Sequence, residues 1–380
     1  MVFKGRTFVT HPPTKILIVL IAGIGDLVLA SKSIRAIHNG HPKAEIHLLT
    51  STDAAPIARK YPYVDCVVPF PIREWKSGEI RLLGIVDEMS RLRGRGYDLV
   101  VNLYASQSVA GAIRMGCLLM LSGARERVGI DGNGLGGFLT KKLPATLLTG
   151  RHVADMMLEV ARLAGAVADD GGIEVFWGSE AEERSRQVLA FRTDGSGPVV
   201  GINPGGNRRN RRWNPGSFAA VADGLVERER AAVVLLGGPG EEAVAETIQR
   251  CMRHDVINLA GRLDLEELAC LISRLDVLVT NDSAPMHIAA AVRTPQVALF
   301  GPEDPLAFHP YTRPELYEIT CADIACRPCR QEECGNPRCL DLITPDAVLE
   351  KCQRLLKGRF GGVTLRYPSN SNANRGESRA

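Results

Sequence analysis

Aromatic side chains are scarce in this chain: Phe, Trp and Tyr make up 5% of its 380 residues. That scarcity argues against a platform for stacking the bases of single-stranded nucleic acid, and no nucleic-acid partner is expected. Long hydrophobic runs are missing too. No stretch reaches the roughly 20 apolar residues that span a bilayer, so any membrane contact would be peripheral. The apolar run Ile16–Ile24 follows His-Pro-Pro-Thr-Lys and lacks a small-residue cleavage site, which reads as a strand and not as a secretion signal. A cytoplasmic protein is therefore expected. Charge of one sign is barely in excess, at +3 net, but residues 1–178 hold 21 Lys and Arg against 16 Asp and Glu. The amino-terminal half is the expected side for an anionic partner, unless the excess is an ordinary solvated surface.

What the chain does have is length enough for two domains and the same opening twice. KILIVLIAGIGDLVLA begins at Lys15 and VVGINPGGNRRNRRW begins at Val199. Each runs an apolar strand into a tight glycine turn and then a segment that can be helical, the opening of an αβα nucleotide-type domain whose ligands gather beyond the strand carboxyl ends. Strands are expected at Ile16–Ala22, Glu45–Thr50, Cys66–Phe70 and Leu99–Leu103, then at Val199–Asn203, Ala232–Leu236, Val277–Thr280 and Gln296–Phe300. Helices between them, among them Asp26–Asn39, Ile80–Arg93, Ser108–Leu121 and Pro285–Val292, predict parallel sheets covered on both faces. Glycine-rich Asp131–Gly137 reads as a mobile loop. The division expected is a flexible leader at 1–14, Rossmann-like domains over 15–178 and 179–358, and a disordered tail at 366–380.

Three segments carry chemistry. In Gly23-Ile24-Gly25-Asp26 the glycines let backbone turn sharply and approach a ligand. Asp26 is either a helix cap or a general base. A dinucleotide fingerprint would place a third glycine at position 28, where Val28 stands, so Rossmann oxidoreduction is disfavoured. In Asn281-Asp282-Ser283-Ala284-Pro285-Met286-His287, Pro285 suits a first helical turn whose N–H groups could hold a diphosphate. The alternative is a capped helix with a buried His287. Arg208, Arg209, Arg211 and Arg212 follow Gly205-Gly206 at a strand end, where at least one suits bidentate phosphate binding and the rest suit a solvated loop. An acid facing a cationic cradle suggests group transfer from a phosphorylated donor.

In order and spacing, GIGDLVLA, NPGGNRRNRRW, LLGGPGEE, NLAGRLDLEEL, TNDSAPMHIAAAV and ALFGP resemble glycosyltransferase family 9, the lipopolysaccharide heptosyltransferases. The resemblance covers Lys15 to about Leu356. It implies a two-domain GT-B fold and a metal-independent, inverting enzyme that needs no cofactor. Such enzymes move heptose from ADP-heptose to an inner-core sugar of a lipid A–Kdo glycolipid, with peripheral contact at the inner face of the inner membrane left open. By the same resemblance Asp26 matches the catalytic base and Arg211 a donor-phosphate contact, usually lysine. Glu241 matches the acid on the ribose and Leu263 a neighbour of adenine. Gly205, Gly206, Asp282, Ser283, Ala284 and His287 match the donor loops. Lys32 and Asn102 depart from the family pattern on the acceptor side, which leaves the acceptor in doubt.

Five cysteines crowd into Cys321–Cys339, and Cys326, Cys329, Cys334 and Cys339 have a spacing that could ligate zinc or stay as reduced or paired thiols. Two further readings stay open: transfer to another acceptor such as protein, and a nucleotide-sugar epimerase of GT-B fold, which would need no acceptor. A non-catalytic nucleotide-sugar binder is a third, disfavoured by the intact Asp26 and Asp282.

Overall fold

The computed structural model describes residues 12–72, 90–104, 108–132, 134–190, 197–331, 333–336 and 338–360. Most of the leader, most of the helix expected at Ile80–Arg93 and the whole tail from residue 366 lie outside the described residues.

Uninterrupted apolar runs such as KILIVL and QVALF can only be strands buried on both faces, and they form the centres of two sheets. The first sheet holds β1 (Lys15–Leu20), β2 (Glu45–Ser51), β3 (Cys66–Phe70), β4 (Leu99–Asn102), β5 (Glu126–Asp131) and β6 (Lys141–Pro144), in the order β3-β2-β1-β4-β5-β6. The second holds β7 (Val199–Asn203), β8 (Ala232–Leu235), β9 (Ile257–Asn258), β10 (Val277–Asn281), β11 (Gln296–Phe300) and β12 (Tyr317–Cys321), in the order β12-β11-β10-β7-β8-β9. Every pairing is parallel. Each sheet is wound outward from its first strand and then back past it. The order therefore reverses between β1 and β4 and between β7 and β10, where open α/β sheets bind ligands.

The longer helices are α1 (Ile24–Gly40), α2 (Val109–Leu121), α3 (Val153–Leu163), α4 (Ser179–Leu189), α5 (Pro215–Glu229), α6 (Glu242–Cys251), α7 (Leu265–Ile272), α8 (Ala284–Ala291) and α9 (Pro345–Phe360). Helical backbone at 90–94 leads into β4. One hydrophobic core crosses from lobe to lobe. It joins Leu27 and Ile34 of α1 to Ile288 of α8, and takes in Leu268 and Ile272 of α7.

That docking gives Gly25 a role its sequence did not suggest. A Cβ there would stand 2.7 Å from His287 Cδ2 and 3.5 Å from Ala284 Cα, so this glycine makes room for the opposite lobe. Gly25→Ala is expected to cost about 1–3 kcal/mol through overpacking. Urea unfolding of the variant checks this, and an unchanged midpoint would contradict it.

β5 and β6 were not legible in the sequence because ERVGID and KKLP are polar and β6 is an exposed edge. Nor does the Asp131–Gly137 stretch hang free as expected. Asp131 accepts the Gly136 N–H at 2.8 Å and pairs with Lys142 at 2.7 Å, which ties the turn to both strands. Thr14, at the end of the expected leader, is held by Asp98 Oδ2 through its N–H at 2.8 Å and its hydroxyl at 2.7 Å.

Candidate active site

Asp26 is the third residue of α1, and its Oδ2 accepts the Gly23 N–H at 3.1 Å. Cap and candidate base are thus one side chain. Burial pushes its carboxyl up to about 6, against the lowering pull of the Gly23 N–H and of Arg211, while Glu303 adds to the rise. A carboxylate tuned toward neutral is suited to taking a proton from a hydroxyl and returning it to solvent.

The groups that act on Asp26 come from the other lobe. Arg211, on the single turn Arg209–Arg211 after β7, bridges two buried carboxylates. Its Nη1 lies 3.1 Å from Asp282 Oδ2, and its Nη2 donates to Glu303 Oε1. Arg208 Nη1 stands 3.6 Å from the same Glu303 oxygen. Asp282 and Glu303 are 4% and 5% exposed, so without this guanidinium two carboxylates would be stranded in protein. Burial raises Asp282 to about 6, offset by Arg211 and reinforced by the charges of Glu303 and Asp26. His287 is pushed down to about 3, first by burial and then by the charges of His152, Arg211 and His309. It is therefore a neutral imidazole with an unpartnered buried Nδ1 among the described residues, and not a cation for a diphosphate.

The loops beneath Arg211 are braced by side chains from distant motifs. Glu241 Oε1 accepts the Gly206 N–H at 2.7 Å and its Oε2 accepts the Gly238 N–H at 2.9 Å, so both oxygens hold loop backbone. A Cβ on Gly205 would fall 2.0 Å from that carboxylate, which is why glycine stands there. Asn281 donates to the Pro204 and Gly205 carbonyls at 2.8 and 3.1 Å and accepts the Trp213 N–H at 3.1 Å, tying the end of β10 to both ends of the loop that carries Arg211. Ser283 is the residue before α8, yet its hydroxyl turns to Asn203 and the Asn281 carbonyl and caps no helix N–H. The start of α8 at Ala284 thus has no side-chain cap.

Between the lobes opens a cavity of about 620 Å³ with Tyr104, Met115 and Met157 on one wall and Arg208, Arg211 and Glu303 on the other. Both lobes contribute cations and apolar side chains: Arg114 and Arg151 stand with the first, and Leu306 and Phe308 with the second. The family model for Glycosyltransferase family 9 (heptosyltransferase) matches residues 88–339. The chain belongs to that family. This family-9 glycosyltransferase is 28% identical over 346 residues to lipopolysaccharide heptosyltransferase 3 of Escherichia coli, covering 90% of this chain and 99% of the relative. Its fold is GT-B. It matches the solved E. coli ADP-heptose lps heptosyltransferase II with a TM-score of 0.71 at 22% identity, over 91% of this chain and 99% of that one. A family 9 glycosyltransferase of Veillonella parvula matches with a TM-score of 0.76, also at 22% identity, over 91% and 98%.

Two residues of the glycosyltransferase cleft escaped the sequence reading. Glu303 follows ALFGP, one residue beyond the motif, and only folding brings it to Arg211. Tyr104 follows β4, and its hydroxyl is held protonated, up to about 12, by the charge of Asp26 first, then by burial and Glu303. Asn102 is buried and its Oδ1 accepts the Tyr104 N–H at 3.5 Å, so it braces the loop from within. Lys32 lines an adjoining crevice of about 590 Å³ with His152 and His309, which shares Gly150, Arg151 and Leu306 with the larger cavity, and its Nζ is 5.9 Å from the Tyr311 ring centroid. Leu263 is half-buried against the inter-lobe core. All ten cysteines are free, and among the described residues no group of three or more His, Cys, Asp or Glu is placed to hold a metal ion. Part of the cysteine segment has a visible mechanical role. The N–H groups of Cys329 and Arg330 donate to the Pro302 carbonyl at 3.1 and 3.0 Å, and Arg330 pairs with Asp304 at 3.0 Å, which buttresses the loop carrying Glu303.

A pH dependence follows from these charges. If Asp26 must be ionised, kcat/KM rises with pH through about 6 and then levels, with Asp282 titrating in the same range. Glu303 raises both groups, so Glu303→Gln is expected to move this acid limb to lower pH. Profiles of the two enzymes side by side give the answer, and a limb moved upward would contradict the assignment.

Proposed function

We propose that this protein transfers heptose from ADP-heptose to an inner-core sugar, Kdo or heptose, of a lipopolysaccharide acceptor at the cytoplasmic face of the membrane, with inversion at the anomeric carbon. One observation carries the reading: Asp26, raised to about 6, feels the charges of Arg211 and Glu303 across the lobe boundary, and that arginine is held between two buried carboxylates of the opposite lobe. In this reaction the acceptor hydroxyl gives its proton to Asp26 while its oxygen forms the new bond to the anomeric carbon. The bond from that carbon to the β-phosphate oxygen breaks on the opposite face, and ADP leaves with the electron pair. Arg211 and the first turn of α8 would take up the growing charge on the diphosphate, so the chemistry calls for no metal. Docked lobes would keep water from competing with the acceptor. The names of the relatives support heptose as the sugar and lipopolysaccharide as the acceptor class.

Product analysis with ADP-heptose labelled in its sugar and a panel of truncated core acceptors tests the reading. Label carried to a Kdo- or heptose-ended acceptor with inverted configuration is the expected result. Label that stays on the nucleotide in altered form would instead mean an epimerase, and label found only on protein would move the acceptor class.

A further inference from the structure

α2 has three faces, and only two of them are explained by the fold. Ala112, Leu118 and Leu119 are buried in the protein, while Gly111, Arg114 and Met115 line the inter-lobe cavity. The third face looks outward and is apolar. Val109, Ile113 and Met120 stand 61%, 62% and 54% exposed, and exposed Cys117 falls between them. Positions four, eight and eleven residues on from Val109 share one side of a helix. This is a continuous stripe about 17 Å long, not the scatter of single apolar residues that any surface shows.

Its surroundings identify what it meets. Two further exposed leucines, Leu147 and Leu306, at 62% and 70%, sit on segments that line the same cavity. The helix contains no acidic residue. Exposed arginines stand at its carboxyl end: Arg125 follows it in the chain, and Arg93 Cγ lies 3.6 Å from where a Cβ on Gly123 would be. An apolar stripe with guanidinium groups at its carboxyl end suits the interface of an anionic bilayer, with the side chains in the acyl boundary and the arginines at the phosphates. A second copy of this chain would set like charges against one another. Among the described residues no helix is long and apolar enough to cross a membrane, so contact of this kind would lie on the surface.

We propose that the outward face of α2 docks this enzyme on anionic phospholipid, placing the mouth of the cleft against the membrane. The proposal deepens the reading of a lipid-linked acceptor and rests on it for purpose, but the docking can be measured without any acceptor. Full-length protein is sedimented with vesicles of phosphatidylethanolamine and phosphatidylglycerol, and in parallel with phosphatidylcholine alone. Binding to the anionic vesicles only is expected, weakened by salt. Ile113→Glu with Met120→Glu should lower it at least tenfold, while kcat on a soluble, lipid-free acceptor stays within twofold. The serine pair Ile113→Ser and Met120→Ser, with the same thermal midpoint as the parent, guards against simple misfolding and should also weaken binding. Equal sedimentation of parent and both variants, or none by the parent, overturns the proposal. So does a parent dimer that the variants convert to monomer with vesicle binding unchanged, which would make the stripe a self-association face. Vesicle binding that obeys these rules in a protein unable to transfer heptose would leave the docking intact and sink the reaction instead.

Discussion

Asp26→Asn is expected to lower kcat by about 10²–10⁴-fold, the usual loss when a general base is removed. Affinity for ADP should change little. The asparagine is nearly the same size and keeps an oxygen for the Gly23 N–H, so the start of α1 stays capped. What it cannot do is accept a proton. The acid limb near pH 6 should therefore flatten in whatever activity is left, because one of the two groups that titrate there has lost its carboxyl and only Asp282 still does so. Single-turnover rates across pH, with ADP binding by calorimetry, separate these effects. Turnover near that of the parent with the acid limb still in place would take Asp26 out of the reaction and leave it a helix cap.

Arg211→Ala should be as damaging, for a different reason. In the proposed reaction the guanidinium meets the departing diphosphate, and loss of one such preorganised donor typically lowers kcat about 10²–10³-fold. Because the diphosphate carries charge before the reaction as well as after it, KM for the donor should rise too. Stability suffers in addition, since Asp282 and Glu303 are left buried with one cation fewer, and breaking such a buried pair costs about 3–5 kcal/mol. Arg208 lies 3.6 Å from Glu303 and softens that loss, while Asp282 can take up a proton. Arg211→Lys restores the charge but not the fork that reaches both carboxylates at once, so it should fall between parent and alanine variant. The measurement is kcat and KM for the donor together with urea unfolding. An alanine variant that keeps its kcat and its ADP affinity would show that the diphosphate is held elsewhere.

Both experiments depend on contacts whose partners are far apart in sequence. Asp26 is perturbed by Arg211 and Glu303, and Arg211 is paired with Asp282 and Glu303. Glu241, expected on a ribose, holds the loops of Gly206 and Gly238 in this structure, a use that no spacing announces. The sequence leaves His287 as either a donor at the diphosphate or the buried side chain of a capped helix. Packed against Gly25 at the seam between lobes, it has too little water around it to carry a charge.

The sequence by itself determined the two strand–glycine–helix units, the parallel winding and the loops at which chemistry gathers. Hydrophobic burial and backbone sterics act over a few residues, and their signature is therefore written locally, in apolar runs such as KILIVL and in the glycines that end them. Only the tertiary structure decided the proton affinity of Asp26, the neutrality of His287, the recruitment of Glu303 and Tyr104, and the bare outer stripe of α2. Those properties come from removing water and setting charges side by side, and both depend on distances in space that the order of residues along the chain does not record.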